Sequence, residues 1–464
     1  MPHHTALIAT IAGGLGLAFL LGFLATRFRV PPLVGYLLAG IAVGPFTPGF
    51  VADTELAAQL AEIGVMLLMF GVGLHFSIRD LLAVRRIALP GAVAQIAVAT
   101  TLGAVMARFW DWTWPEALVF GLSLSVASTV VLLRALEERG VLDSINGRIA
   151  VGWLIVEDLA TVLALVLLPA LAGLTGAHGD GTVPVATGNI WNVLGVTFLK
   201  VAAFVALMMF VGIRAVPWLL GKVAATGSRE LFTLAVLATA LGIAFGAAAL
   251  FDVSFALGAF FAGVVIAESD LSHQAAAEAL PLQDAFAVLF FVSVGMLFDP
   301  KILIQSPLAI VMVLLVVVIG KSLAAFGIVL LFRYPIRTAL TVSASLAQIG
   351  EFSFILAALG LSLGILRPEA QSLILAGAIL SIILNPAIFA TVDRMERWIG
   401  RRPKLVDLLE RPPGSLAKIP ENLPDDGLRD HAVIIGFGRV GGTIGQAMER
   451  QGIPYLVVEQ NREL

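Results

Sequence analysis

The sequence predicts an all-α polytopic membrane protein followed by the start of an α/β Rossmann-like segment, on three observations. First, 59% of the 464 residues are hydrophobic and only 13% are charged, against about 45–50% and about 25% in soluble domains. Second, the apolar residues fall into runs close to the ~20 that a helix needs to cross a bilayer, and mean hydropathy is +0.97. Third, the composition turns polar and proline-rich after about residue 395. So little charge cannot coat a soluble surface, which excludes an ordinary soluble enzyme and a disordered chain. A net charge of −3 gives no reason to expect a nucleic-acid partner. Cysteine is absent, which removes disulfides, thiolate metal sites and thiol nucleophiles. The 46 glycines suit close helix packing in lipid.

Thirteen candidate spans can be drawn, at about 5–26, 32–49, 55–75, 87–108, 115–136, 148–174, 190–212, 229–250, 253–268, 282–299, 303–332, 337–363 and 368–392. The ninth is short and the eleventh long, which predicts tilt or a break. The first is not a cleavable signal peptide, because Arg27 and Arg29 follow it instead of preceding it. Alternate loops differ in Lys and Arg. One set holds Arg27, Arg29, Arg79, Arg85, Arg86, Arg134, Arg139, Arg148, Arg214, Lys222, Arg229, Arg333 and Arg337; the other holds only Arg108, Lys301 and Arg367. The positive-inside rule makes the rich side cytoplasmic. The N-terminus is then expected outside and the C-terminus inside, in a bacterial inner membrane.

Residues 1–395 form the expected transmembrane domain and 396–429, with five prolines from Pro403 to Pro424, a cytoplasmic linker. From residue 430 the chain reads strand (His431–Gly436), Gly-rich turn and helix to about Gln451, then strand (Pro454–Glu459). Gly436, Gly438 and Gly441 form a G-x-G-x-x-G pattern and Glu459 stands about 20 residues further on, as in a dinucleotide fingerprint. One strand–helix–strand unit cannot bury its own core, so this reads as the start of an incomplete nucleotide-binding regulatory domain. An adenine nucleotide, AMP or NAD(H), is its expected ligand; packing alone is the other reading of the glycines.

An ionisable residue at mid-membrane depth costs about 2.5–3.5 kcal/mol on insertion scales, so it marks a site by default. Glu157 and Asp158 are adjacent in GWLIVEDLATVLALV, Lys321 lies in VVVIGKSLAAF, and Glu351 lies in SLAQIGEFSFIL. Adjacent helical residues point about 100° apart. One acid can therefore meet Lys321 while the other faces a cavity, free to bind a proton or a hard monovalent cation in turn. A purely structural ion pair is the competing reading. Lys200 reads as a lysine that snorkels or pairs within an interface. The fifth span carries Ser123, Ser125, Ser128 and Thr129; the twelfth carries Thr341, Ser343, Ser345, Gln348 and Gly350. Hydroxyls of this kind often bond back to their own helix. Two such stretches beside spans with mid-membrane charges nevertheless predict the broken helices of an inverted repeat, with spans 4–6 and 11–13 as its halves. Leu33–Tyr36 has part of a potassium-filter motif without its pore-helix context. The six histidines show no ligand spacing, so no metal site is expected.

The blocks PPLVGYLLAGIAVGP (31–45), LLMFGVGLHFS (67–77), SLSVASTVVLLRALEERG (123–140), GWLIVEDLA (152–160), SFALGAFFAGVVIAES (254–269), DAFAVLFFVSVGMLFDP (284–300) and SLAQIGEFSFILA (345–357) resemble the cation:proton antiporter-2 family. Within it they are most similar to Kef-type potassium/proton antiporters, and GFGRVGGTIG (436–445) resembles the regulatory domain that follows such transporters. The resemblance implies a homodimer with the sodium/proton antiporter-like fold of about 13 helices, crossed broken helices in spans 5 and 12, and no cofactor for transport. It implies that Asp158 binds the ion, that Glu157 occupies a preceding position that varies among members and is glutamine in Kef proteins, and that Lys321 pairs with Glu157. Ser128, Thr129 and nearby carbonyls would complete the cation shell, with Ser125, Ser345, Gln348 and Glu351 as polar residues of the breaks. The expected function is monovalent cation:proton antiport, with potassium efflux against proton uptake and the two ions competing for Asp158. A sodium/proton antiporter and a ligand-gated potassium channel remain as alternatives.

Overall fold

In the computed structural model the described residues are 6–28, 30–48, 51–74, 78–142, 144–175, 190–251, 253–401 and 431–458. The chain divides into two compact units, Met1–Leu409 and Glu410–Leu464.

The first unit is entirely helical among its described residues. It runs α1 (Ala6–Arg27), α2 (Pro32–Val43), α3 (Thr54–Leu74), α4 (Ile78–Arg108), α5 (Trp114–Ser125), α6 (Thr129–Glu138), α7 (Ile145–Thr175), α8 (Ile190–Leu207), α9 (Ile213–Ala224) and α10 (Arg229–Phe251). It continues with α11 (Phe255–Ala267), α12 (Ser272–Met296), α13 (Ile302–Gln305), α14 (Pro307–Leu314), α15 (Lys321–Leu331), α16 (Ile336–Ser345), α17 (Glu351–Ser362) and α18 (Pro368–Gly400). Each of the thirteen expected segments contains helix. Among the described residues ten helical spans are long and apolar enough to cross a membrane, and α2, α11 and α17 are shorter apolar helices. Leu33–Tyr36 lies within α2, so it is helix and not a filter loop.

Several helices outrun their apolar runs. α12 begins ten residues before the expected tenth span, because SHQAAAEAL is rich in good helix formers and carries the helix through the expected loop. α8 continues through a π-helical turn at Met208–Gly212 into α9, taking in Arg214 and Lys222. α18 likewise extends past the apolar run through Arg394 and Arg397 to Gly400.

Packing separates two groups. α2, α3, α11 and α12 pack together, and α4, α5, α7 and α15–α18 pack around the breaks between α5 and α6 and between α16 and α17. Burial separates interior helices from those exposed at the surface of the single chain. In the most apolar 18-residue stretch of each span, 67% is buried for Trp114–Glu138, against 22% for Leu7–Arg27 and for Arg229–Phe251. The start of α5 is fastened to the rest. Thr113 and Glu116 form a capping box, and Glu116 takes a bidentate Arg367 at 2.9–3.0 Å while that guanidinium stacks over Trp112.

In the second unit β1 (Ala432–Ile435) pairs in parallel with β2 (Tyr455–Val458), joined by α19 (Arg439–Arg450). Gly436 has φ +87°, a left-handed turn that glycine adopts without strain. A Cβ on Gly441 would stand 1.9 Å from the Gly436 carbonyl oxygen, so helix and turn pack there without a side chain. Gly438 caps α19 and has open space around it. Glu459 and most of the expected linker lie outside the described residues.

Candidate ion site at the helix crossing

α5 ends at Ser125 because Val126 and Ser128 are extended, and Ser128 then caps α6, its Oγ accepting the Val131 N–H at 3.3 Å. The second break is the counterpart: α16 ends at Ser345, and α17 starts after Gly350, whose backbone is extended. The two breaks touch through the main chain. Gly350 N–H donates to Val126 O at 3.0 Å. A Cβ on Gly350 would meet Ala127 O at 2.3 Å, so only glycine permits this approach. Four helix ends therefore converge: the C-terminal ends of α5 and α16 and the N-terminal ends of α6 and α17.

Around this crossing every charged side chain is buried: Glu157 is 0% exposed, Asp158 4%, Lys321 0% and Glu351 2%. Their placement follows the polarity of the helix ends. Glu157 Oε2 accepts the Ala127 N–H at 3.0 Å, beside the start of α6. Thr129 Oγ1, in the first turn of α6, donates to Asp158 Oδ2 at 3.2 Å. Lys321 Nζ donates to Gln348 O at 3.3 Å, just past the C-terminal end of α16. Glu351 opens α17 and faces the Ser128 hydroxyl and the N–H groups of Thr129 and Val130. Asp158 has Glu351 and Glu157 as its neighbouring charges.

The expected Lys321–Glu157 ion pair is not closed in this structure. The two side chains lie within electrostatic range of each other, but Lys321 spends its hydrogen bond on the Gln348 carbonyl. A π-helical turn at Leu315–Gly320 immediately precedes Lys321 and sets the direction from which it enters the crossing. The expected hydroxyl ligands also divide. Ser125 and Ser345 donate back to Leu122 O and Thr341 O, the ordinary behaviour of hydroxyls within helices. Thr129 reaches Asp158, and Ser128 serves as a cap.

The freed carbonyls are engaged as well. Gln95 Nε2 donates to Ser125 O at 3.2 Å, Gly350 N–H to Val126 O, Asn385 Nδ2 to Ala344 O at 3.2 Å, and Gln348 Nε2 to Ser345 O at 3.2 Å. What stays unpartnered is mostly side-chain oxygen: Asp158 Oδ1, Glu157 Oε1, Glu351 Oε2 and Gln348 Oε1. The arrangement offers carboxylate oxygens, already desolvated, to a proton or a hard cation. Sequence reasoning missed Gln95, Ser381 and Asn385. Ser381 Oγ takes the Ile349 N–H at 3.2 Å and so ties α18 to the second break. Their only signal was a lone amide or hydroxyl in an apolar run. Lys200, read as snorkelling or paired within an interface, lies partly exposed in α8.

Comparison with known proteins identifies the family. The chain matches the family described as sodium/hydrogen exchanger, transmembrane, over residues 15–392. It is 58% identical over 463 residues to YbaL of Escherichia coli (strain K12), a cation/proton antiporter by name, covering 100% of this chain and 81% of that protein. It is 66% identical over 280 residues, 59% of this chain, to the full length of an uncharacterized protein encoded in the phaC 3′ region of Methylorubrum extorquens. Its fold is similar to that of the sodium proton antiporter MjNhaP1 from Methanocaldococcus jannaschii. The TM-score is 0.59 at 13% identity, over 84% of this chain and 98% of that one. The chain belongs to the sodium/hydrogen exchanger transmembrane family and is a cation/proton antiporter, a secondary transporter and not an enzyme.

Proposed function

We propose that the protein exports potassium in exchange for protons by alternating access, with proton and cation competing for Asp158. One observation carries this reading. Asp158 is buried with Oδ2 held by Thr129 and Oδ1 free of any protein partner, so one oxygen of a desolvated carboxylate awaits a cationic occupant. An unpaired carboxylate is costly in such surroundings, and either a proton or a monovalent cation relieves the cost. Occupation by one then excludes the other, and that exclusion is the coupling. The protein would act as a homodimer in a bacterial inner membrane, N-terminus outside and C-terminus cytoplasmic, as the Lys/Arg asymmetry supports.

Proton flux in proteoliposomes under imposed gradients of potassium, sodium, rubidium or lithium, with the voltage clamped by an ionophore, tests this. Proton movement driven by potassium in preference to sodium is expected. Strict sodium dependence would reassign the substrate, and potassium conduction without proton movement would make the protein a channel.

The second unit supports a nucleotide-binding reading of the tail. Gly436 supplies the tight turn, Gly438 leaves open backbone at the start of α19, and Gly441 allows close packing, the three roles of glycine in dinucleotide-binding turns. An adenine nucleotide, AMP or NAD(H), would place its phosphates on the N–H groups at the start of α19 and act as a regulator and not as a redox substrate. Calorimetry with AMP and with NAD(H) should show binding that Gly438→Asp abolishes; no binding would leave the glycines a packing device.

A further inference from the structure

Resting on the reading of Asp158 as the carrier, we propose that Glu351 is the second carboxylate of the ion site, coordinating the same cation as Asp158 without itself exchanging the proton. Two carboxylates share the start of α6. Thr129 in its first turn donates to Asp158 Oδ2, while the Ser128 hydroxyl and the N–H groups of Thr129 and Val130 face Glu351. The Ser128 Oγ already accepts the Val131 N–H, so its hydrogen is left to donate. Each carboxylate keeps one buried oxygen without a protein partner, Asp158 Oδ1 and Glu351 Oε2, and Glu351 is the first-named charge neighbour of Asp158. Glu351 follows directly on Gly350, whose backbone packs against Ala127, so it enters the crossing at the contact between the two breaks.

The division of labour follows from the donors and charges that face each group. Glu351 stands in the first turn of α17 and beside the start of α6, where the positive helix ends compensate its charge. Asp158 has one donor, Thr129, and faces two negative neighbours, Glu351 and Glu157. Lys321 lies within range of Glu157 and offsets that charge. Of the carboxylates it is therefore Asp158 that needs a partner arriving from outside. Glu351 contributes a second anionic oxygen to whatever cation comes, and so sets the affinity for it.

Glu351→Gln keeps the shape and removes the charge. In potassium-driven proteoliposome assays it should raise KM for the cation about tenfold while kcat stays within about twofold, the pattern of a lost ground-state contact. Glu351→Asp, which keeps the charge on a shorter arm, should restore KM part of the way. A folded Glu351→Gln with wild-type KM, or one that loses kcat at unchanged KM, would overturn the assignment. If Glu351→Gln does not fold, Ser128→Ala gives the second reading. It removes the hydroxyl that faces Glu351 and should raise KM, and an unchanged KM there would equally overturn it. Failure here is separable from failure of the transport reading, which is tested at Asp158 in a protein that retains Glu351.

Discussion

Gly350→Ala probes the backbone contact that holds the crossing together. The added Cβ would lie 2.3 Å from Ala127 O, 2.5 Å from Ala127 C and 2.7 Å from Ser128 N. All three are main-chain atoms, so no side-chain rotation can relieve the clash. Gly350 has φ −102° and ψ 174°, a conformation that alanine adopts freely, so the whole cost is steric. To reach ordinary contact at 3.4 Å the two breaks must part by about 1 Å. Overpacking of this kind costs about 1–3 kcal/mol, and stretching the Gly350 N–H to Val126 O bond adds about 1 kcal/mol. The sum, about 2–4 kcal/mol, should lower the melting temperature in detergent by several degrees. Parting the breaks also withdraws the Ala127 N–H from Glu157, so exchange should fall with stability. Gly327→Ala, on the same footing but with nothing within 4 Å, should be neutral or stabilising by about 0.5–1 kcal/mol. A Gly350→Ala protein that melts and transports like the wild type would refute the claim that this contact supports the site.

Three further outcomes are expected. Glu157→Gln combined with Lys321→Gln should destabilise less than the two single changes summed, with a coupling of about 0.5–3 kcal/mol in a thermal-stability cycle; strict additivity would mean that the two charges do not sense each other. Ser381→Ala leaves the buried Ile349 N–H without its acceptor and should cost about 1–3 kcal/mol, and an unchanged melting temperature would show that another group takes over. Arg367→Ala removes the bidentate bond to Glu116 and the stacking on Trp112. Because Arg367 is 41% exposed, a loss of about 1 kcal/mol that shrinks at high salt is expected in thermal shift; a loss independent of salt would make it a packing contact.

The sequence made the helical segments, the acid pair and both breaks legible, because each rests on a local signal. Apolar runs mark spans, charges within them stand out, and Ser and Thr gather where helices unwind. The glycines of the tail were readable for the same reason, with strand, turn and helix following one another in order. What stayed hidden depends on pairings across the fold. Nothing local in Gly350 says that its N–H meets Val126 O, and a single Gln95 or Ser381 in an apolar run gives no direction. Lys321 lies in range of Glu157 as expected, but its hydrogen bond to the Gln348 carbonyl could not be read, because it depends on how the second break is placed in the fold. The lengths of α9, α12 and α18 were underestimated because helix propensity continues where apolarity stops.

Exchange by Asp158→Asn in proteoliposomes tests the central claim most directly. The substitution keeps the shape and the Thr129 contact while removing the charge from the one oxygen of Asp158 that lacks a protein partner. Proton movement driven by a potassium gradient should vanish in a protein that melts within a few degrees of the wild type. Retained, cation-driven proton movement in that variant would contradict the assignment of Asp158 as the carrier.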